Sequence, residues 1–78
     1  MLRVVVGVED IPSWLKVKTD GRTVFEQVGQ PGFVQDFEAD QEINIEAADA
    51  EAVSVEVNGR DLGRLGGSGK GTTRTFTL

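Results

Sequence analysis

Along most of the chain, apolar and polar residues take turns. Leu2, Val4, Val6 and Val8 share one parity, a β-branched run that predicts a strand over 2–8. Glu9-Asp10-Ile11-Pro12 ends it, because proline has no N–H to give to a ladder. Leu15 and Val17 then alternate with Lys16 and Lys18, so the stretch from Ser13 predicts a second strand with one wet face. Asp20-Gly21 supplies a two-residue hairpin turn, and the chain returns as a third strand over 22–28; the hairpin of Ser13–Phe25 is expected to be central, with the other strands packed around it.

Gly29-Gln30-Pro31-Gly32 is the next turn signal, with proline preset for the first central position and glycine for the second. From Phe33 to Ala47 the alternation resumes: Asp36, Glu38, Asp40, Glu42, Asn44 and Glu46 on one parity, Phe37, Ala39, Ile43 and Ile45 on the other. One strand of that length would exceed the usual five or six residues, so a break at Asp40-Gln41 is expected, giving strands over 34–38 and 42–47. Ala48-Asp49-Ala50-Glu51 reads as a connection that holds at most one helical turn. Val53, Val55 and Val57 point to one side of a strand over 52–57, and Asn58-Gly59 is the strongest hairpin signal in the chain. Arg60-Asp61-Leu62-Gly63 begins the return. Five glycines among the nine residues Gly63–Gly71 predict a mobile loop, after which Thr72–Leu78 forms a last strand with Phe76 and Leu78 on one face. About seven to eight short strands without helical periodicity predict an all-β fold, a small antiparallel sandwich (Greek-key or jelly-roll-like) or a small barrel, in a single domain over 1–78.

Composition narrows the chemistry. With 78 residues the core is small, and the absence of cysteine leaves neither disulfides nor thiolate metal sites to reinforce it. The chain also lacks histidine, so the usual triads cannot activate Ser13, Ser54 or Ser68, and a non-catalytic role without cofactors is expected. Gly69-Lys70 fails as a phosphate loop: Arg64 stands where that motif needs its first glycine, and Gly71 where it needs a hydroxyl. The acidic run from Asp36 to Glu46 spaces same-face carboxylates ~7 Å apart along a strand, which suits a solvated face better than a calcium loop.

The net charge of −5 argues against a nucleic-acid footprint. Residues 1–59 hold four basic and twelve acidic side chains, whereas residues 60–78 hold four basic and one acidic. Two readings of that asymmetry stand: an acidic body pairing with a basic tail, or one face presenting Arg60, Arg64, Lys70 and Arg74 to an anionic partner. Trp14, the sole tryptophan, also has two readings. By alternation it sits with Lys16 and Lys18, opposite Leu15 and Val17. In one it is covered, by a bulge after Pro12 that turns it inward or by a segment that caps the outer face; in the other it forms an exposed platform for a sugar or a peptide. Trp14, Lys16, Lys18, Arg60, Arg64 and Lys70 are the candidate interaction residues.

Taken in order, these segments resemble the C-terminal domain of RodZ-type bacterial membrane proteins. The resemblance rests on the apolar strand Leu2–Val8, on Ser13-Trp14-Leu15-Lys16-Val17 with the turn Asp20-Gly21, and on Phe37–Ile45. It continues through Val53-Ser54-Val55-Glu56-Val57-Asn58-Gly59 and closes on Arg74-Thr75-Phe76-Thr77-Leu78. Where the family often has Gly-Asn-Ala before the Val-x-Val strand, this chain has Ala47-Ala48-Asp49-Ala50. The resemblance implies a domain cut from a longer parent with a cytoplasmic helix-turn-helix domain and one transmembrane helix. It places the β-domain on the extracytoplasmic side, in a cell-shape or cell-division role, contacting wall-synthesis or other envelope proteins or peptidoglycan itself.

Overall fold

Eight strands form in the order the alternation predicts, as seen in a computed structural model that describes residues 1–67 and 71–78. They are β1 (Leu2–Val8), β2 (Ser13–Thr19), β3 (Arg22–Gly29), β4 (Val34–Ala39), β5 (Glu42–Ala47), β6 (Val53–Val57), β7 (Arg60–Arg64) and β8 (Thr72–Thr77). One 3-10 turn, Ala50–Ala52, precedes β6. All pairings are antiparallel, in two four-stranded sheets ordered β4-β1-β6-β7 and β3-β2-β5-β8. The sandwich is therefore established, and the barrel is not formed.

The topology is two long hairpins, each folded over on itself. In the first, β1–β2 is one arm and β3–β4 the other; in the second, the arms are β5–β6 and β7–β8. The two meet through β1 with β6 and β2 with β5. Every arm passes from one sheet to the other midway, so four crossovers gather at one end. Backbone bonds tie them together: Val8 N–H to Phe33 O (2.9 Å), Glu9 N–H to Ala52 O (2.8 Å) and Gly66 N–H to Ala50 O (3.3 Å).

Both hairpin turns lie at the other end. Asp20 (φ 50°) with Gly21 (φ 81°), and Asn58 (φ 49°) with Gly59 (φ 85°), take the doubly left-handed form that matches the twist of a hairpin. Each turn's first side chain also fastens a neighbouring segment. Asp20 accepts the N–H groups of Asp40, Gln41 and Glu42 at 2.8–3.0 Å, pinning the link between β4 and β5. Asn58 Oδ1 accepts the N–H of Arg3 at 2.8 Å. Three backbone donors hold the Asp20 carboxyl below the usual carboxylate range.

The inward parity of every arm meets in one core. Leu2, Val4, Val6, Leu15, Val17, Ile43, Ile45 and Val53 are fully enclosed. A bulge between Val17 and Lys18 in the β2–β3 ladder sets Phe25 opposite Val17, leaving Val24 exposed. Phe25 thereby reaches Phe33 and Phe37 (centroids at 5.2 and 5.9 Å) and closes the sandwich on the β3/β4 side. On the other side Leu65 and Phe76 are buried, and Arg74 lies over the Phe76 ring at 5.1 Å.

Four expectations need correction. The acidic stripe of residues 36–46 is not one face. Because the chain changes sheet at Asp40-Gln41, Asp36 and Glu38 lie on the outside of one sheet and Glu42 and Glu46 on the outside of the other. The glycine-rich loop is shorter than Gly63–Gly71: Gly63 and Arg64 belong to β7, and Leu65 is buried with its N–H bonded to Val53 O at 2.7 Å. That expectation also covers residues 68–70, which lie outside the described residues. Leu78 does not share the burial of Phe76; it follows the last strand and is exposed. Finally, the Ser13–Phe25 hairpin is not central throughout, since β2 is interior but β3 is an edge strand.

Candidate functional site

The outer face of the β3-β2-β5-β8 sheet carries Trp14, Lys16 and Lys18. The pairing of β2 is unbroken from Ser13 to Val17, so Ser13, Leu15 and Val17 stay inward and Trp14 stays outward. The bulge after Pro12 that would turn Trp14 in does not form. The indole is half-buried, with Val28 across from it on β3 and the N–H of Ala48 bonded to its carbonyl at 3.1 Å.

Below Trp14 the face is built in cross-strand rows. Glu26, Lys16, Glu46 and Thr73 stand side by side, and Thr23, Lys18, Asn44 and Thr75 make the next row. Lys16 is thus bracketed by carboxylates, and opposite charges at such positions stabilise a sheet by ~0.2–1 kcal/mol per pair. Asn44 Nδ2 donates to Thr75 Oγ1 at 2.7 Å, which fixes part of the second row. Beside Trp14 an open depression of about 290 Å³ runs between Glu46, Ala48 and Gly71–Thr73. It is shallow, at the low end of ligand-site volumes, and suits contact with a surface or an extended chain better than enclosure of a small molecule.

Ser13 holds this arrangement from beneath. Its hydroxyl is buried, accepts the N–H of Asp49 at 3.1 Å and donates to the carbonyl of Trp14 at 3.1 Å. The Ser-Trp pair therefore does two jobs at adjacent positions: serine anchors a crossover inside, tryptophan faces outward.

The basic residues of the C-terminal part lie elsewhere. Arg60 and Arg64 are on β7, an edge of the opposite sheet, so they do not join Trp14, Lys16 and Lys18 on one face. Arg64 approaches Glu9 (3.6 Å) and Asp10 (3.7 Å) and donates to the carbonyl of Glu51 at 3.2 Å, a local pairing of the basic tail with the acidic body. Arg74 points to the inner side of β8 over Phe76. Lys70 lies outside the described residues. The other sheet's outer face is acidic: Arg3 pairs with Asp36 at 2.9 Å, while Glu56 and Asp61 have no cation at ion-pair distance among the described residues. No group of three or more metal-ligating side chains converges among the described residues.

Reading the sequence alone missed the partners of Trp14. The simple register of the Asp20-Gly21 hairpin would set Gln27 across from it, but the bulge shifts the pairing by one and brings Val28 there instead.

Fold and surface together define a small antiparallel β-sandwich that offers one aromatic, charge-mixed sheet face. The RodZ C-terminal domain family model matches residues 10–77, and the chain belongs to that family. No curated protein and no solved structure matches it.

Proposed function

We propose that this chain is a non-catalytic interaction domain of a RodZ-like protein, held on the extracytoplasmic side of the bacterial membrane by the parent's single transmembrane helix. Its partners are wall-synthesis proteins of the envelope, met through the face around Trp14, Lys16 and Lys18. Membership of the family over residues 10–77 carries this reading. The half-buried tryptophan on a sheet face that no strand covers among the described residues supports the choice of surface, since aromatic residues with one apolar side and one wet side are enriched at interfaces.

Replacing Trp14 with glutamate in the full-length parent tests it. The expected result is a shape or division defect at unchanged protein level. Normal cells with normal protein level would refute the assignment of this face.

The depression beside Trp14, with Glu46 and Thr73 as polar neighbours, favours a second reading: docking on peptidoglycan, the indole stacking on a sugar ring. A heteronuclear NMR titration with soluble wall fragments separates the two. Shifts centred on Trp14, Lys16 and Lys18 favour the wall; a flat response leaves protein contact.

A further inference from the structure

Three of the sandwich's four open edges carry features that discourage strand pairing. β4 bears Asp36 and Glu38, β7 is short and interrupted by a register shift between Val55 and Glu56, and β3 contains the bulge opposite Val17/Lys18 along with Arg22 and Glu26. β8 differs. Its six residues Thr72–Thr77 pair with β5 in unbroken register, and among the described residues no strand lies on its other side. It has neither proline nor glycine, and its one charge, Arg74, turns inward.

The direction of its free groups follows from one bond. Leu78 donates its N–H to Gln41 O at 3.2 Å, so the pair 41/78 belongs to the hydrogen-bonded set of the β5–β8 ladder. Antiparallel ladders alternate, which directs the N–H and C=O of residues 72, 74 and 76 toward β5 and those of Thr73, Thr75 and Thr77 outward.

We infer that β8 pairs with β8 of a second copy, antiparallel about a two-fold axis at Thr75. In that register Thr75 faces Thr75, Thr73 faces Thr77, and Arg74 faces Phe76 of the other copy. All outward N–H and C=O groups of the three threonines are then satisfied at once. No like charges oppose each other: Arg74, already over its own Phe76 at 5.1 Å, meets a second Phe76 ring. The outer side becomes a ladder of threonines, a favourable cross-strand pairing. The register is self-complementary, as a two-fold interface requires. The result is one eight-stranded sheet, β3-β2-β5-β8-β8-β5-β2-β3, with two Trp14 faces on the same side. It adds self-association to the partner reading above and does not depend on it.

The chain's lack of cysteine makes the test clean, because Thr75→Cys introduces the sole thiol. Residues directly opposite in a hydrogen-bonded pair lie ~5.5 Å apart at Cα, within disulfide reach. Under mild oxidation T75C should cross-link at least ~10-fold faster than Thr23→Cys on the β3 edge, since only a preformed pair holds two thiols at that spacing. In sedimentation, the unmodified chain should dimerise weakly, at roughly 10–500 µM, as a small edge-to-edge contact would. Thr75→Lys, which sets two ammonium groups face to face while keeping the outward N–H, should stay monomeric at ~10-fold higher concentration, with amide shift changes confined to the neighbourhood of residue 75 and its partner Asn44. Equal cross-linking rates for T75C and T23C, or a wild-type chain that stays monomeric near ~1 mM and leaves the edge for a strand of some other protein, would overturn the inference.

Discussion

Removing the Ser13 hydroxyl is the most informative single change, because it separates the inner task of the Ser-Trp pair from the outer one. Ser13 is 1% exposed, and its Oγ is the partner given to the Asp49 N–H at 3.1 Å. Ser13→Ala deletes one atom, opens almost no cavity, and strands that donor in a half-buried crossover. Leaving a buried donor without a partner costs ~1–3 kcal/mol; because Asp49 is only half-buried, the lower part of that range, ~1–2 kcal/mol, applies here. A domain of this length holds roughly 4–12 kcal/mol in total. For domains this small each kcal/mol moves the melting temperature by ~4–8 °C, so S13A should lower it by roughly 5–15 °C. Thermal denaturation followed by circular dichroism reads the shift, and Trp14, as the sole tryptophan, reports the same transition by fluorescence. Faster amide exchange should appear first at Ala50–Ala52, the turn behind Asp49. A shift below ~2 °C would mean that water satisfies the Asp49 N–H and that the serine is not an anchor.

Three further changes probe other parts of the scaffold. Asp20→Asn should flatten the acid side of the stability profile. The folded-state pKa of Asp20 is depressed by the N–H groups of residues 40–42, so its contribution is present above the unfolded pKa and is lost as pH falls through the folded one. The gap in melting temperature between wild type and D20N should therefore narrow from neutral pH into strong acid, and a constant gap would contradict this. Ile45→Ala, at a fully enclosed core position, should cost ~2–5 kcal/mol in a urea titration. Gly66→Ala should destabilise by ~1–3 kcal/mol, since an added Cβ would fall 2.7 Å from Thr72 Oγ1 and 2.9 Å from Ala50 Cβ; a neutral result would mean that the β7–β8 crossover yields freely.

Alternation made the strands legible. Leu2–Val8, Glu42–Ala47 and both primed turns stand where parity and turn chemistry place them, because a period of two with one buried face leaves little choice of register. The distribution of strands between sheets was less visible. Asp36 and Glu46 share a parity yet face opposite sides of the molecule, since the link at Asp40-Gln41 carries the chain from one sheet to the other. What fixes that link is a contact twenty residues away in sequence, from Asp20 Oδ2 to the Asp40 N–H, which no local pattern announces. The bulge that selects Phe25 over Val24 for the core is similarly decided by Phe33 and Phe37, far along the chain. At the candidate site, parity was enough to group Trp14 with Lys16 and Lys18. The separation of Arg60 and Arg64 from them depends on β7 joining the other sheet, and that is a property of the whole topology.

The claim that the Trp14 face meets an envelope partner is tested most directly by photo-crosslinking in living cells. A photoreactive phenylalanine analogue would be placed at Trp14 or Lys16 of the natively expressed protein, and at Glu56 on the opposite sheet as the comparison. If the Trp14 face is the docking surface, positions 14 and 16 give a discrete adduct with a wall-synthesis protein and position 56 gives none. Adducts from position 56 alone, or none from positions 14 and 16, would contradict that assignment.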